Sequence, residues 1–183
     1  HNRCRSDHLN CTKVWHHNWV HDCREKCMRG DDGTLQLQGH HNVIWNCGMG
    51  PSCNGYGGRG CDRNYNAPCG WLTKGNDNML FASTIFNVYS GGRGELVVPV
   101  VKHENSNSSF FNVAAKRLGD SPKPGPSNTK LWKAIYRGDL ASMQLADVAG
   151  LDFRPKATSS LRGAGYVFPP FSPAKPDGGK PDV

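Results

Sequence analysis

The chain begins with His1, a residue that offers a metal ion two nitrogen atoms when its α-amine is free. The ordinary pKa is about 7.7–8.0 for an α-amine and about 6.5 for an imidazole, so a metal competes with protons for both near neutral pH. A third nitrogen from a distant histidine would complete a flat site that favours copper. We therefore expect cleavage of a signal peptide before His1 and a bound copper ion in the mature protein.

The cysteines are confined to the first 69 residues, and residues 70–183 have none. They form no CxxC pair and no zinc-finger spacing, which favours a disulfide framework in an oxidising compartment. We expect an extracellular protein in which all eight cysteines form disulfides, with their pairing left open. The eight are Cys4, Cys11, Cys23, Cys27, Cys47, Cys53, Cys61 and Cys69.

The formal charge of +7 is spread along the chain and favours polyanionic partners. In an extracellular, disulfide-rich chain this favours acidic polysaccharide over nucleic acid, and the alternative is that the charge only keeps the protein soluble. No apolar stretch approaches the roughly 20 residues of a membrane span, and no GxSxG, HExxH or P-loop motif is present. We expect a monomer that binds neither nucleic acid nor a membrane.

The patterning changes along the chain. Residues 1–70, rich in Gly, Asn, Cys and His, predict a disulfide-stapled loop region with a short helix over 12–27. From residue 79, short β-rich runs separated by Gly or Asn/Ser turns predict an antiparallel β-sandwich of the immunoglobulin-like or fibronectin-like type. Residues 71–170 carry its main strands, with 1–170 forming one domain. Residues 171–183 are a proline-rich extended tail. No internal repeat is evident.

The segment "YSGGRGELVVPVVKHENSNSSFFNVAA" (89–115) predicts a strand ending in a glycine turn, an alternating strand, a histidine in a polar turn, and a strand that begins with aromatic residues. With His1 and the cysteine-rich start, this order resembles lytic polysaccharide monooxygenases, most closely the small oomycete branch directed at pectin. The resemblance implies that His103 joins His1 around one copper ion. It also implies Tyr166 as the axial aromatic residue, with Phe168 and Phe153 as alternatives.

What the resemblance implies about function is oxidative cleavage of a plant cell-wall polysaccharide such as homogalacturonan, with electrons from an external donor. Flat rings near glycine-rich loops would stack on sugars, and basic residues would pair with sugar carboxylates, the alternative for the rings being core packing. These candidate substrate-binding residues are Trp15, Trp45, Tyr56, Arg59, Arg63 and Trp71, with Trp19, Tyr65 and Lys74 as further members.

The remaining histidines allow other metal chemistry. His17 and His21 would share a helical face and, with His8 and His16, could form a zinc cluster. His40 and His41 lie near a predicted turn, where one could donate a hydrogen bond near the copper, the alternative being surface residues. Two alternatives of other classes stay open: a non-catalytic carbohydrate-binding or effector protein, and a copper carrier that does not oxidise sugar.

Overall fold

The computed structural model describes residues 12–23, 26–30, 34–48, 69–73, 75–88, 94–97, 107–116, 118–119, 131–172 and 174–183. Within these ranges the fold is mainly β, as the sequence predicts, with one four-residue helix. The strands are β1 (Lys13–His16), β2 (Trp19–His21), β3 (Lys26–Gly30), β4 (Leu37–His40), β5 (Val43–Cys47), β6 (Cys69–Thr73), β7 (Met79–Val88), β8 (Gly94–Val97), β9 (Ser109–Ala115), β10 (Leu118–Gly119), β11 (Leu131–Tyr136), β12 (Leu145–Asp147) and β13 (Asp152–Pro155). The helix α1 spans Leu140–Met143.

Strands β1 to β11 pair only in parallel, and they stack as successive coils. The coil has three sides, or faces. Face one is formed by β1, β4 and the first halves of β7, β9 and β11, and the offsets between its successive strands are 24, 41, 30 and 22 residues. Face two is formed by β2, β5 and the second halves of β7, β9 and β11, with the same four offsets. Face three stacks β3, β6, β8 and β10. The described strands therefore wind into a parallel β-helix.

The prediction of an antiparallel β-sandwich is wrong, because β1 to β11 pair in parallel. The β-rich runs at 79–88, 94–97 and 109–115 are strands, as expected, but each pairs with a strand one coil away and not with its neighbour in sequence. Alternating apolar residues identify a strand without giving the direction of its partner. The predicted helix over 12–27 is also wrong, because these residues form β1, β2 and part of β3.

Residues in the left-handed conformation turn the chain between faces. A single such residue between two extended segments changes the direction of the backbone, and asparagine tolerates it better than most residues. The first corner, between faces one and two, has φ values of 54, 51, 45, 54 and 49° at His17, His41, Ala82, Asn112 and Ala134. The second corner, after face two, has φ values of 54, 52 and 52° at Asp22, Asn46 and Asn87. The Asn46 amide donates to Asp22 at 2.9 Å, and Asn87 donates to Asn46.

The interior of the coil is apolar and closely packed. Leu37, Ile44, Leu80 and Ile85 are at most 1% exposed and belong to one cluster, and burying each such side chain contributes about 1.5–3 kcal/mol. Gly39 faces Trp71, whose ring would lie 2.3 Å from a Cβ at that position. Glycine at this point is what allows the indole to occupy the interior.

One polar ladder crosses this interior. Asn42 is 1% exposed, and its side-chain oxygen accepts from the backbone N–H and the amide of Asn18 at 3.1 and 3.0 Å. Its amide donates to the Trp15 carbonyl at 2.9 Å, and its backbone N–H donates to Ser83 Oγ at 3.3 Å. The buried polar groups are thus paired from one coil to the next, as burial requires.

The C-terminal segment (137–172 and 174–183) folds back over the outside of the coil. Met143, Leu145 and Leu161 are buried against Trp45 and Phe86 on the outer side of face two. The chain end packs here too. The Val183 N–H donates to the Leu161 carbonyl at 3.0 Å, and the Gly165 N–H donates to the Pro181 carbonyl at 2.8 Å. The proline-rich residues 174–183 therefore lie against the domain.

One disulfide of the predicted framework is described. Cys27 and Cys47 are bonded and connect β3 with β5 across the coil. Cys23 has no disulfide partner among the described residues, and its predicted disulfide stays a prediction. Cys4, Cys11, Cys53, Cys61 and the Cys69 side chain lie outside the described part. No helix in the described ranges has the length and apolar character needed to cross a membrane.

Candidate functional site

Several of the predicted site residues lie outside the described ranges. These are the two copper ligands, part of the sugar platform and some secondary candidates, namely His1, His103, Tyr56, Arg59, Arg63, His8, Tyr65 and Lys74. The three-nitrogen copper site therefore stays a prediction.

The predicted tryptophan platform is largely core. Trp71 is 1% exposed and Trp45 is 8% exposed, so neither ring has a face free for a sugar. Trp15 is half-buried and meets the Trp71 ring edge-on at 5.8 Å. The parallel coil explains this placement, because Trp15 and Trp71 lie on inward positions of neighbouring coils, whereas Trp45 is covered by the C-terminal segment.

The candidate axial residues pack against the coil or line its surface. Tyr166 is 36% exposed, and its ring lies 6.5 Å from Phe111 and 6.1 Å from Phe168. Its backbone is fixed by Asn112, which accepts from the Tyr166 N–H at 2.6 Å and donates to the Tyr166 carbonyl at 3.0 Å. Phe153 lies elsewhere, beside Trp19.

A cleft of about 650 Å³ separates the outer side of face two from the C-terminal segment. Its volume is within the range of about 300–1,000 Å³ that is usual for small-ligand sites. Strands β2, β5 and β7 supply one wall, and residues 151–155, 171–172 and 181–183 supply the other. The lining includes the side chains of Trp19, His41, Asp152, Phe153, Arg154 and Asp182.

Two aromatic rings give the cleft its apolar surface. Trp19 points outward from β2 and is 55% exposed, which is unusual for so large an apolar side chain. Phe153 meets it edge-on at 5.4 Å and is held from behind by Trp45 at 5.0 Å and Phe86 at 6.0 Å. The Trp19 ring is therefore both accessible and supported.

Two carboxylates, Asp152 and Asp182, and one guanidinium, Arg154, are charged side chains that line the cleft. Asp152 accepts from Nε and Nη2 of Arg154 at 2.8 and 2.6 Å, and these hydrogen bonds lower its pKa to about 2. Burial opposes ionisation of Asp182, but its bond to Lys175 Nζ at 2.7 Å, the Gly163 N–H and the nearby Arg162 lower its pKa overall. Both carboxylates are therefore ionised at neutral pH.

A quartet of histidines, His16, His17, His40 and His41, lies at the first corner, where His41 reaches the cleft. The rings of His16 and His40 stack at 5.0 Å, and those of His17 and His41 stack at 4.9 Å. Nδ1 atoms face each other at 2.8 Å in the His16–His17 pair and at 2.9 Å in the His40–His41 pair. The stacking distances of 5.0 and 4.9 Å follow from the coil repeat, because neighbouring strands are about 4.8 Å apart.

Burial, followed by the neighbouring imidazoles of His41, His16 and His17, lowers the pKa of His40 to about 4. Burial and the same kind of neighbours lower the pKa of His41 as well. Both rings are therefore neutral at pH 7. His21, predicted to join His17 in a zinc cluster, instead stacks on Trp45 at 4.3 Å and bonds Asp22 at 2.6 Å. No group of three or more His, Cys, Asp or Glu side chains in the described ranges is arranged to hold a metal ion.

Sequence reasoning missed Asp152, Asp182 and the quartet as members of one region, because the fold-back of the C-terminal segment is not encoded in any local pattern. One signal was present for the coil itself. "HHN" occurs at 16–18 and again at 40–42, and each copy is followed by a cysteine five residues later. The two copies stack in the structure with an offset of 24 residues.

Comparison with known proteins gives no relative: no protein-family model, no curated protein and no solved structure matches the chain.

Proposed function

We propose that the protein is an extracellular carbohydrate-binding protein whose cleft takes a segment of a polysaccharide. The observation that carries the proposal is the exposed Trp19 ring in a cleft of about 650 Å³ that also holds two ionised carboxylates. A flat ring packs on the apolar face of a sugar, and carboxylate oxygens accept hydrogen bonds from its hydroxyl groups. The Cys27–Cys47 disulfide is consistent with an extracellular location.

An acidic polysaccharide, such as homogalacturonan, fits the basic groups around the cleft. The Arg154 side chain is 85% exposed, and its bond to Asp152 uses two of the five N–H donors of a guanidinium. Arg162 and Lys175 stand beside Asp182, and the whole chain carries +7. Guanidinium groups bind carboxylates in a bidentate manner, so Arg154 can contact a uronic acid.

Binding fits the cleft better than glycoside hydrolysis. A glycosidase needs one carboxyl group with a raised pKa that donates a proton to the leaving oxygen. Among the described residues that line the cleft, the side-chain carboxyl groups are those of Asp152 and Asp182, and both have lowered pKa values. Ionised carboxylates accept hydrogen bonds and do not supply that proton.

The test is calorimetric titration of the protein with oligogalacturonides and with neutral cello-oligosaccharides. We expect binding of the acidic series, and Trp19→Ala should weaken it about tenfold, which corresponds to about 1.4 kcal/mol of lost packing. Val14→Ala is the matched control, because Val14 is 44% exposed on the same first coil but does not line the cleft. Equal affinity of the Trp19→Ala and Val14→Ala variants would rule out this cleft as the sugar site.

Copper-dependent oxidative cleavage is a second, separate hypothesis, supported by the sequence resemblance around His1 and His103. It predicts that His103→Ala abolishes both tight copper binding and the release of oxidised oligosaccharides. If the protein is instead a copper carrier, His103→Ala removes copper binding, and neither the unchanged protein nor the variant releases oxidised oligosaccharides. Carbohydrate binding in the cleft should be unaffected by this substitution, so the two hypotheses are distinguished in one set of variants.

A further inference from the structure

The third corner of the coil, which precedes face one, presents an asparagine side chain to solvent. Gln36, Asp77 and Asn107 occupy this corner in successive coils, with φ values of 55, 56 and 56° just before β4, β7 and β9. Asn107 is exposed, and its Nδ2 donates to Asp77 Oδ1 at 2.6 Å. The amide of Asn107 is therefore accessible and held in one position by the coil below it.

Asn107 also begins an N-glycosylation acceptor pattern. Asn107, Ser108 and Ser109 supply the asparagine, the middle residue other than proline and the hydroxyl residue that the pattern requires. Glycine, tyrosine and alanine stand two residues after the other described asparagines in the left-handed conformation, which are Asn46, Asn87 and Asn112. Among the described asparagines of this conformation, the sequence thus marks Asn107 for modification.

The three residues of the pattern divide between surface and interior. Ser108 and Ser109 are at most 4% exposed, and Ser108 Oγ accepts from the Asn78 N–H at 3.0 Å. The hydroxyl residue is needed while the glycan is transferred to the entering chain, before β9 pairs, so its burial in the folded protein does not oppose the modification. The folded protein has only to leave the asparagine nitrogen accessible, as it does at Asn107.

We propose that Asn107 carries an N-linked glycan, an inference that rests on the extracellular location in the proposed function but not on sugar binding in the cleft. The Asn107 Nδ2 attacks the anomeric carbon of an oligosaccharide carried on a polyprenyl diphosphate. A carbon–nitrogen bond forms, the bond from that carbon to the diphosphate oxygen breaks, and Nδ2 gives up one proton as polyprenyl diphosphate leaves. An amide nitrogen has two hydrogens, so one remains to donate to Asp77.

The third corner lies away from the cleft. Asn107 and Asn112 mark the third and first corners of the same coil, and five residues of extended chain at about 3.3 Å each separate them by about 16 Å. The described residues of the third corner do not line the cleft, whereas His41 of the first corner does. A glycan on Asn107 should therefore leave the cleft open to its ligand.

The test is expression of the full chain behind a signal peptide in a eukaryotic secretion host, followed by mass spectrometry of its peptides. Peptide-N-glycosidase releases the glycan and converts the modified asparagine to aspartate, which identifies the site. All proteins carry Asn10→Gln, because Asn10 begins the other acceptor pattern of the chain. We expect a glycan on Asn107 and its complete loss in Ser109→Ala, which leaves the asparagine in place.

The matched control is Ser108→Ala, which changes the neighbouring buried serine but keeps the acceptor pattern. This variant should retain the glycan, and Asn87, an exposed asparagine of the same backbone conformation without the pattern, should be unmodified. An unmodified Asn107 in protein that has formed the Cys27–Cys47 disulfide would overturn the proposal. A glycan that persists on Asn107 in Ser109→Ala would overturn it as well.

Titration of the glycosylated and the enzymatically deglycosylated protein with oligogalacturonides keeps this result separate from the proposed function. We expect equal affinities, because the glycan lies away from the cleft. If neither form binds, sugar binding in the cleft is rejected while the glycan on Asn107 stands. If both forms bind but Asn107 is unmodified, the cleft function stands and the glycosylation site is rejected.

Discussion

Replacing Asn112 by alanine is expected to loosen the C-terminal segment from the coil and to lower the free energy of unfolding by about 3–5 kcal/mol. The Asn112 side chain is completely buried and makes three hydrogen bonds to that segment, two with the Tyr166 backbone and one, at 2.7 Å, with Ser172 Oγ. Each bond contributes about 0.5–1.5 kcal/mol, and an unpaired buried partner costs more. Alanine at a φ of 54° adds about 1 kcal/mol of backbone strain.

Two further substitutions separate these contributions. Asn112→Gly removes the hydrogen bonds but adopts the left-handed conformation freely, so its cost should be about 1 kcal/mol smaller than that of alanine. Asn112→Asp keeps an acceptor for the Tyr166 N–H but loses both amide donations. The matched control is Asn87→Ala, because Asn87 has a φ of 52° at the second corner but is exposed. Its expected cost is about 1–2 kcal/mol.

Urea unfolding followed by tryptophan fluorescence gives these free energies, and limited proteolysis reports on residues 137–183 directly. The segment forms one wall of the cleft, so oligogalacturonide binding should fall together with its protection from protease. If Asn112→Ala and Asn87→Ala differ by less than about 0.5 kcal/mol, the corner asparagine does not hold the segment and the reasoning fails.

Two more predictions concern the coil. Gly39→Ala should destabilise the protein by about 1–3 kcal/mol, measured by the same urea titration, because its Cβ would press on the buried Trp71 ring; unchanged stability would contradict the packing. Acidification from pH 6.5 to 4 should lower the free energy of unfolding through His40, whose folded pKa of about 4 lies below the unfolded value, so the unfolded chain gains the proton first. The full shift corresponds to about 3.4 kcal/mol, and solvent around the half-buried ring reduces it to about 1–2 kcal/mol. His40→Phe, which preserves stacking on Phe81, should remove this part of the pH dependence. If the free energy of unfolding of this variant changes between pH 6.5 and 4 as much as that of the unchanged protein, the prediction is wrong.

The mainly β fold and the positions of several strands were predictable. β7 and β9 follow from their apolar, β-branched and aromatic residues, since such residues favour an extended, half-buried backbone wherever their partners are. The strands within residues 12–27 were not predictable. The apolar residues at 14, 15, 19 and 20 fit a helix as well as strands, and only the pairing of β1 with β4 and of β2 with β5 decides for strands.

The coil repeat escaped detection because its length varies. Successive offsets of 24, 41, 30 and 22 residues hide the self-similarity that a fixed period would reveal, and only the two "HHN" copies preserve it in the letters. Loops of different length between coils cost little in closure entropy, so the fold tolerates this variation.

By itself, the sequence determined that the chain is mainly β, which residues of β7 and β9 are extended, and that the molecule is basic. These are local or compositional properties. The tertiary structure decided the direction of strand pairing, the burial of Trp45 and Trp71, and the exposure of Trp19. It also brought Asp152 and Asp182 opposite β2, and His40 against His41 at a left-handed corner. Each of these depends on which coil or segment lies next to which, because contacts between residues far apart in sequence are fixed only when the chain closes on itself.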